Sequence, residues 1–350
     1  MNTVPNITPN SIAGMTGLSN RPVYFLRLNG SQTPNLVVKG EPPTVPFATT
    51  DELQTSVKWG SKLMKNVNNS SVNTKIMTPN EVLVFKRFAV TAFPHDSKQY
   101  QTVAPGGPNY NWVKMPYVAG LSDAELYENR NPNFAAIKQN IAKFSDEQVW
   151  TDLGKIVAVD IFNGNCDRFD TKTGDWVNEG NVMFTTGGPT KVIGLDTFDP
   201  YSEQSNLTKA GGFEELRKLV DPGQRRIFAT AAVKSVGSKF KRALGTGVAS
   251  ITLMSNGPNG PQRLSIDVNT LPNLFLPYAP NFEAGLATGA NDLKVYLQNK
   301  VRQYRGQWQR ATPKNMAPRI GGARAAAHAP AKKTIPQGVL DRMAYLGWMV

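Results

Sequence analysis

Very little in this chain can bind a metal through sulfur or imidazole. It has one cysteine, Cys166, and two histidines, His95 and His328, in 350 residues. A single thiol cannot form an internal disulfide or a Cys-rich zinc site. Two histidines leave little material for a metal–histidine centre or a Ser-His triad. No stretch approaches the roughly 18 consecutive apolar residues of a membrane span. The N-terminus lacks a basic start followed by an apolar core, which argues against a conventional secretory signal. Acidic residues are also few beside basic ones, 26 against 39, for a net charge of +13.

That excess is lopsided. From Lys300 to Val350 there are ten Lys or Arg and one acid, Asp341. Such a region suits an anionic membrane surface or an acidic protein, or it is simply a solvated tail. Ala and Pro interleave the charges at 323–330 with no aromatic stacking pattern, so nucleic acid is not favoured. Hydrophobic content of 40% and charged content of 19% fit a globular protein with one large domain or two smaller ones.

Residues 1–20 are rich in Asn, Thr, Ser and Pro and read as a flexible leader. From Pro22, alternating runs at 23–28 and 36–40 predict two strands. Thr49-Thr50-Asp51 offers a helix N-cap, and Leu53, Val57, Leu63, Met64 and Val67 fall on one helical face. Residues 81–92 and 112–118 read as strands. Helices are expected at 135–144, 147–162, 212–220, 225–236 and 291–309, with 249–280 largely irregular. Strands thus dominate the first third and helices the last half. The expected fold class is α+β, with a sheet-rich part at 21–118, a helical part at 119–310, and a basic tail at 311–350 that can end in a docked helix.

The densest chemistry lies between 156 and 198. Asn165, Asp167 and Arg168 form an Asn-x-Asp-Arg cluster. Asn181 then precedes a short apolar run, and Asp196 ends another. ATP phosphoryl transfer needs a carboxylate to orient the acceptor, and an amide oxygen with a carboxylate to hold Mg2+ on the phosphates. Asp160, Asn165 and Asp167 compete for the catalytic role. Asp160 and Asn165 have the D-x-x-x-x-N spacing of a protein-kinase catalytic loop, but Asp160 sits in an apolar run. Asp167, in more polar surroundings, is favoured. Asn181 and Asp196 are the metal-ligand candidates, although Asn and Asp are also common turn residues at strand ends. Cys166, with no histidine near it in sequence, reads as a packing residue.

Lys39, in a Val-Val-Lys-Gly strand, can neutralise ATP phosphates or be an ordinary edge-strand lysine. Glu52 is its candidate helix partner, with Asp51 adjacent. Gly14 and Gly17 can cover phosphates with backbone amides or simply loosen the leader. Met115, Tyr117 and Val118 run into a linker that can meet adenine through backbone groups.

The order Asp160…Asn165-Cys166-Asp167-Arg168…Asn181…Leu195-Asp196 resembles the divergent kinase-like fold of type II phosphatidylinositol 4-kinases and HipA-type toxin kinases. The resemblance implies a two-lobed kinase-like fold that binds ATP and Mg2+. It implies Asp167 as catalytic aspartate, Asn181 and Asp196 as metal ligands, Lys39 as nucleotide lysine and Met115 to Gly120 as hinge. Fourteen positions separate Asp167 from Asn181, where the family has about five, so 169–180 is expected to form an inserted hairpin. Leu195-Asp196-Thr197 also lacks the family's glycine. The expected acceptor is a protein or a phosphoinositide. Transfer of AMP by the same fold, and an inactive pseudokinase that binds partners through its basic region, are the alternatives. The leader composition is similar to that of bacterial type III effectors, which implies a protein made in the bacterial cytoplasm and secreted.

Overall fold

The computed structural model describes residues 12–16, 21–28, 30–42, 50–68, 71–118, 120–122, 134–178, 181–185, 190–196, 198, 213–257, 260–311 and 335–350. The fold is mixed α+β, with small antiparallel sheets. Among the described residues no helix is long and apolar enough to cross a membrane.

The first sheet contains β1 (Ile12–Thr16), β2 (Val23–Leu26), β3 (Leu36–Glu41), β4 (Lys75–Ile76) and β5 (Asn111–Pro116), in the order β1-β2-β3-β5-β4. Strand β1 corrects the expectation of a featureless leader, because residues 12–16 pair along β2. Register then sorts the side chains by the two-residue period of a strand. Tyr24, Val38 and Lys114 lie opposite one another on one face, and Val23, Lys39 and Val113 on the other. Helix α1 (Thr50–Val67) sends Leu53 and Val57 into a cluster with Val113, Met115 and Ile193 on the Lys39 face. The opposite face is covered by α2 (Pro79–Ala92) and α3 (Lys98–Val103), whose Phe85, Ala89 and Val103 pack on Tyr24, Leu26, Val38 and Trp112.

Helix α2 overturns the strand expected at 81–92. Thr78 and Glu81 close a capping box: the Glu81 N–H donates to Thr78 Oγ1 at 3.4 Å, and the Thr78 N–H donates to Glu81 Oε2 at 2.9 Å. Pro79 occupies the first turn, where its missing N–H costs nothing. These local signals outweigh the β-branched and aromatic content of the segment.

The rest of the chain surrounds one large core. A second sheet pairs β6 (Gly120–Ser122), β7 (Val182–Thr185) and β8 (Val192–Gly194). Helices α4 (Phe134–Lys143), α5 (Glu147–Asn163) and α6 (Pro222–Leu244) are followed by a hairpin of β9 (Ser250–Gly257) and β10 (Gly260–Asp267). Short α7 (Leu271–Leu274), long α8 (Ala279–Ala311) and α9 (Gln337–Tyr345) complete the order. The hairpin, α7 and the short 3-10 turns at 268–270 and 276–278 replace the irregular stretch expected at 249–280. Residues 214–219 form a 3-10 helix where an α-helix was expected.

Helices α5 and α8 cross closely enough to demand glycine. A Cβ on Gly154 would lie 2.3 Å from the Phe282 carbonyl oxygen, and one on Gly285 would lie 2.2 Å from that of Thr151. The C-terminus is also structural. Val339, Met343, Leu346 and Trp348 enter the core, and Trp348 stacks on Phe162 at 5.9 Å. Arg342 is buried and donates from Nε to the Phe162 carbonyl at 2.7 Å. Burial lowers its pKa to about 10, so it stays charged at neutral pH. The end of the expected basic tail therefore braces the last turn of α5.

Candidate functional site

Helix α5 ends at Gly164, which adopts φ 72° in the left-handed region. The chain reverses there, and the Asn165 N–H donates to the Asp160 carbonyl at 2.8 Å. Asn165 is itself fully buried. Its Nδ2 donates to Asp160 Oδ1 at 3.1 Å and to the Asp196 carbonyl at 3.2 Å, while its Oδ1 accepts the Asp167 N–H at 3.0 Å. One side chain thus holds together the helix end, the loop and the end of β8.

Asp160 and Arg168 are both completely buried and form an ion pair. Arg168 spends its other donors on backbone: Nε to the Asn181 carbonyl at 3.1 Å, and Nη2 to the Leu195 carbonyl. It therefore fixes the entrance of β7 and the exit of β8 against α5. Burial pushes the Asp160 carboxyl up, and the Arg168 guanidinium and Asn165 amide pull it back.

Asp167, only partly buried, is held by two amides. Asn181 Nδ2 donates to its Oδ2 at 2.8 Å, and Asn178 Nδ2 to its Oδ1 at 3.4 Å. The segment after it folds as a hairpin: Phe169 and Trp176 bridge antiparallel, and their rings stack at 6.1 Å. Residues 179–180 lie outside the described ones.

Asp196 follows β8 with φ 45°, in the left-handed region that a non-glycine residue rarely adopts. Two contacts fix β8 to the end of α1: Asn68 Nδ2 donates to the Val192 carbonyl at 3.0 Å, and the Gly194 N–H donates to Ser71 Oγ at 3.3 Å. That placement brings Asp196 Oδ2 to 2.5 Å from Lys39 Nζ, across 157 positions of sequence. Lys39 is 6% exposed, and its other ion partner is Glu41 Oε1 at 3.0 Å. Glu41 is 1% exposed and also lies 3.5 Å from Arg21 Nε. Burial alone would lower the Lys39 pKa; Asp196 and then Glu41 reverse this and hold it above the usual lysine value. For Glu41 burial dominates and raises the carboxyl pKa, with Lys39 opposing.

The structure thus brings Lys39, Asn165, Asp167, Asn181 and Asp196 into one connected network. Asp160 belongs to it from below, as the buried anchor of Arg168. The carboxylate beside Lys39 on the sheet is Glu41, not the expected Glu52 of α1. Alternation could have found it, because Lys39 and Glu41 are two apart on one strand and share a face. Gly14 sits in β1 opposite Phe25, so it is a strand residue and not part of a phosphate-covering turn; Gly17 lies outside the described residues. Met115 is buried on β5, and Tyr117 and Val118 are half-buried just beyond it. The Tyr117 N–H is committed to the Asn35 carbonyl at 3.1 Å.

The donor chemistry is all hard oxygen. The carboxylates of Asp167 and Asp196 and the amides of Asn178 and Asn181 are types that Mg2+ accepts when phosphate and water complete its shell. Among the described residues no group of three or more His, Cys, Asp or Glu is arranged to hold a metal alone. No family model matches this chain, and comparison with curated proteins and with solved structures finds no significant relative.

Proposed function

We propose that the chain is a Mg-ATP-dependent phosphotransferase of two-lobed, kinase-like build, with the first sheet and α1 as one lobe and the α5–α8 core as the other. The observation that carries this reading is the meeting of Lys39 with Asp196. A buried lysine on a strand and a carboxylate in strained backbone beyond another strand are what a nucleotide with its metal would bind between. The resemblance to type II phosphatidylinositol 4-kinases and HipA-type kinases supports it through residue order alone.

Under this reading Lys39 neutralises phosphate oxygens, and Glu41 keeps its ammonium charged and aimed. Asn181 and Asp196 would hold Mg2+, which supplies charge neutralisation on the phosphates when bound. Asp167, turned outward by the two amides, orients the acceptor hydroxyl and takes its proton. Asp160 and Arg168 set the positions of these groups without touching substrate. Positioning and fixed charge would supply most of the rate. The proposed acceptor is a protein or a phosphoinositide, with the basic stretch before α9 as an aid to docking on an anionic surface.

The test is incubation of the protein with ATP labelled at either the γ or the α phosphate, Mg2+, and an extract or phosphoinositide vesicles. Transfer of γ label alone is expected. Transfer of α label would replace phosphorylation by adenylylation, and no transfer with either label would leave a non-catalytic binding protein.

A further inference from the structure

Helix α6 carries Arg225, Arg226, Lys234, Lys239, Lys241 and Arg242 and no acid in 23 residues. Lys234, Lys241 and Arg242 line a concavity of about 660 Å3 together with Ser238, Thr173 and Asp175. Positions 234, 238, 241 and 242 recur at helical spacing, so they share one face. Among the described residues no carboxylate pairs with any of the three cations. The one acid in the wall, Asp175, accepts the Thr173 hydroxyl at 3.0 Å, leaving the lining with three positive charges against one negative.

The groove is firmly built. The hairpin that supplies Thr173 and Asp175 is fastened to α6 twice: the Trp176 N–H donates to Ser235 Oγ at 2.8 Å, and Lys239 Nζ donates to the Val177 carbonyl at 3.1 Å. Gly174 seats the hairpin tip with φ 80°, where a Cβ would meet Ala231 and Ala232 at 3.1 Å. Lys234 to Arg242 spans about 12 Å of helix at 1.5 Å per residue. A single carboxylate or phosphate would reach only part of that line. Several phosphates would engage both ends, with a guanidinium fork and ammonium groups as donors.

We propose that this groove binds a compact polyanion carrying two or more phosphate groups, either a soluble polyphosphate or a lipid headgroup. The lining shares no residue with the Lys39–Asp196 cluster, and the proposal does not rest on the phosphotransferase reading.

Two probes test it on the full chain: inositol hexakisphosphate by calorimetry, and phosphatidylcholine vesicles with or without a bisphosphorylated phosphoinositide by sedimentation. The variant Lys234→Gln/Lys241→Gln/Arg242→Gln is compared with Lys58→Gln/Lys65→Gln/Lys75→Gln, which removes equal charge elsewhere. At least one probe is expected to bind, at least about tenfold more weakly (about 1.4 kcal/mol) to the groove variant, with little change in the control. Rising salt should weaken binding. Capture by vesicles without uptake of the soluble probe assigns a lipid source, and the reverse assigns a soluble one. Lys241→Glu should reproduce the loss in a protein whose melting curve matches wild type. Failure of both probes to bind, or equal losses in the two triple variants, would overturn the proposal.

Discussion

Two ionic clusters lie on either side of the same loop, and they are built to opposite ends. Asp160 and Arg168 are fully buried, and the guanidinium divides its donors among one carboxylate and two backbone carbonyls. Lys39, Glu41 and Asp196 are also mostly buried, yet this cluster is not sealed. Both Glu41 oxygens have a cationic partner, Lys39 or Arg21, but Asp196 keeps about a sixth of its side chain exposed. A closed network fixes geometry, because removing a member strands a buried charge. An open one keeps electrostatic capacity for something that arrives later. The same residue types therefore act as frame in one place and as candidate chemistry in the other.

The largest effect should come from attacking the frame at its outer brace. Ending the chain at residue 334 removes Val339, Met343, Leu346 and Trp348 from the core. At about 1.5–3 kcal/mol each, the loss rivals the whole stability of a typical domain. The expected outcome is a chain without a cooperative thermal transition; a truncation that melts like the full protein would show that α9 is not part of the frame.

Next is Arg168→Met, which leaves Asp160 buried and unpaired. Chemical denaturation should show a loss of about 3–5 kcal/mol. By contrast, Asp196→Ala leaves Lys39 its Glu41 partner, so stability should change by less than about 1 kcal/mol. Turnover should fall at least about 100-fold, which corresponds to about 2.7 kcal/mol of transition-state stabilisation. If the two variants lose stability equally, the distinction between frame and chemistry fails. Asp167→Asn should likewise cut turnover with a smaller loss of stability than Asp160→Asn.

The smallest effect concerns pH. Burial raises the Glu41 pKa from its ordinary 4.5, so the folded state holds this proton more tightly than the unfolded one. That contribution to stability is present below pH 4.5 and is lost as pH rises through the folded value. Wild type should therefore lose stability relative to Glu41→Gln as pH climbs from about 4.5 toward neutrality. An opposite slope in paired denaturation curves would mean that Lys39 overrides burial at Glu41.

Part of this was legible in the sequence. Strands β2, β3 and β5 and helices α1 and α5 announced themselves by alternation or helical periodicity, and α1 by its cap. The chain order of Asn165, Asp167, Asn181 and Asp196 pointed to residues that the fold brings into one network, because strand ends present their residues predictably. Other elements were hidden by competing signals. Pro280, Gly285 and Gly289 look like helix breakers, yet Gly285 and Gly289 allow α8 to press on α5. Helix α2 looks β-like because valines and phenylalanines make up most of its larger apolar side chains, while its capping box is the decisive signal. Strand β1 is short and draws its stability from β2. The Asp160–Arg168 pair has no sequence signature, since it depends on how the chain turns at Gly164. Glu41 is legible from alternation alone, two residues from Lys39 on the same strand.

Under the proposed function Lys39 and Asp196 would be the two halves of one nucleotide–metal site. Calorimetric titration with ATP, with and without Mg2+, tests it on wild type, Lys39→Met and Asp196→Ala. Wild type should bind ATP more tightly with Mg2+. Asp196→Ala should lose that enhancement and keep the metal-free affinity, while Lys39→Met should bind weakly under both conditions. Absence of binding by wild type, or identical isotherms for all three proteins, would contradict the account.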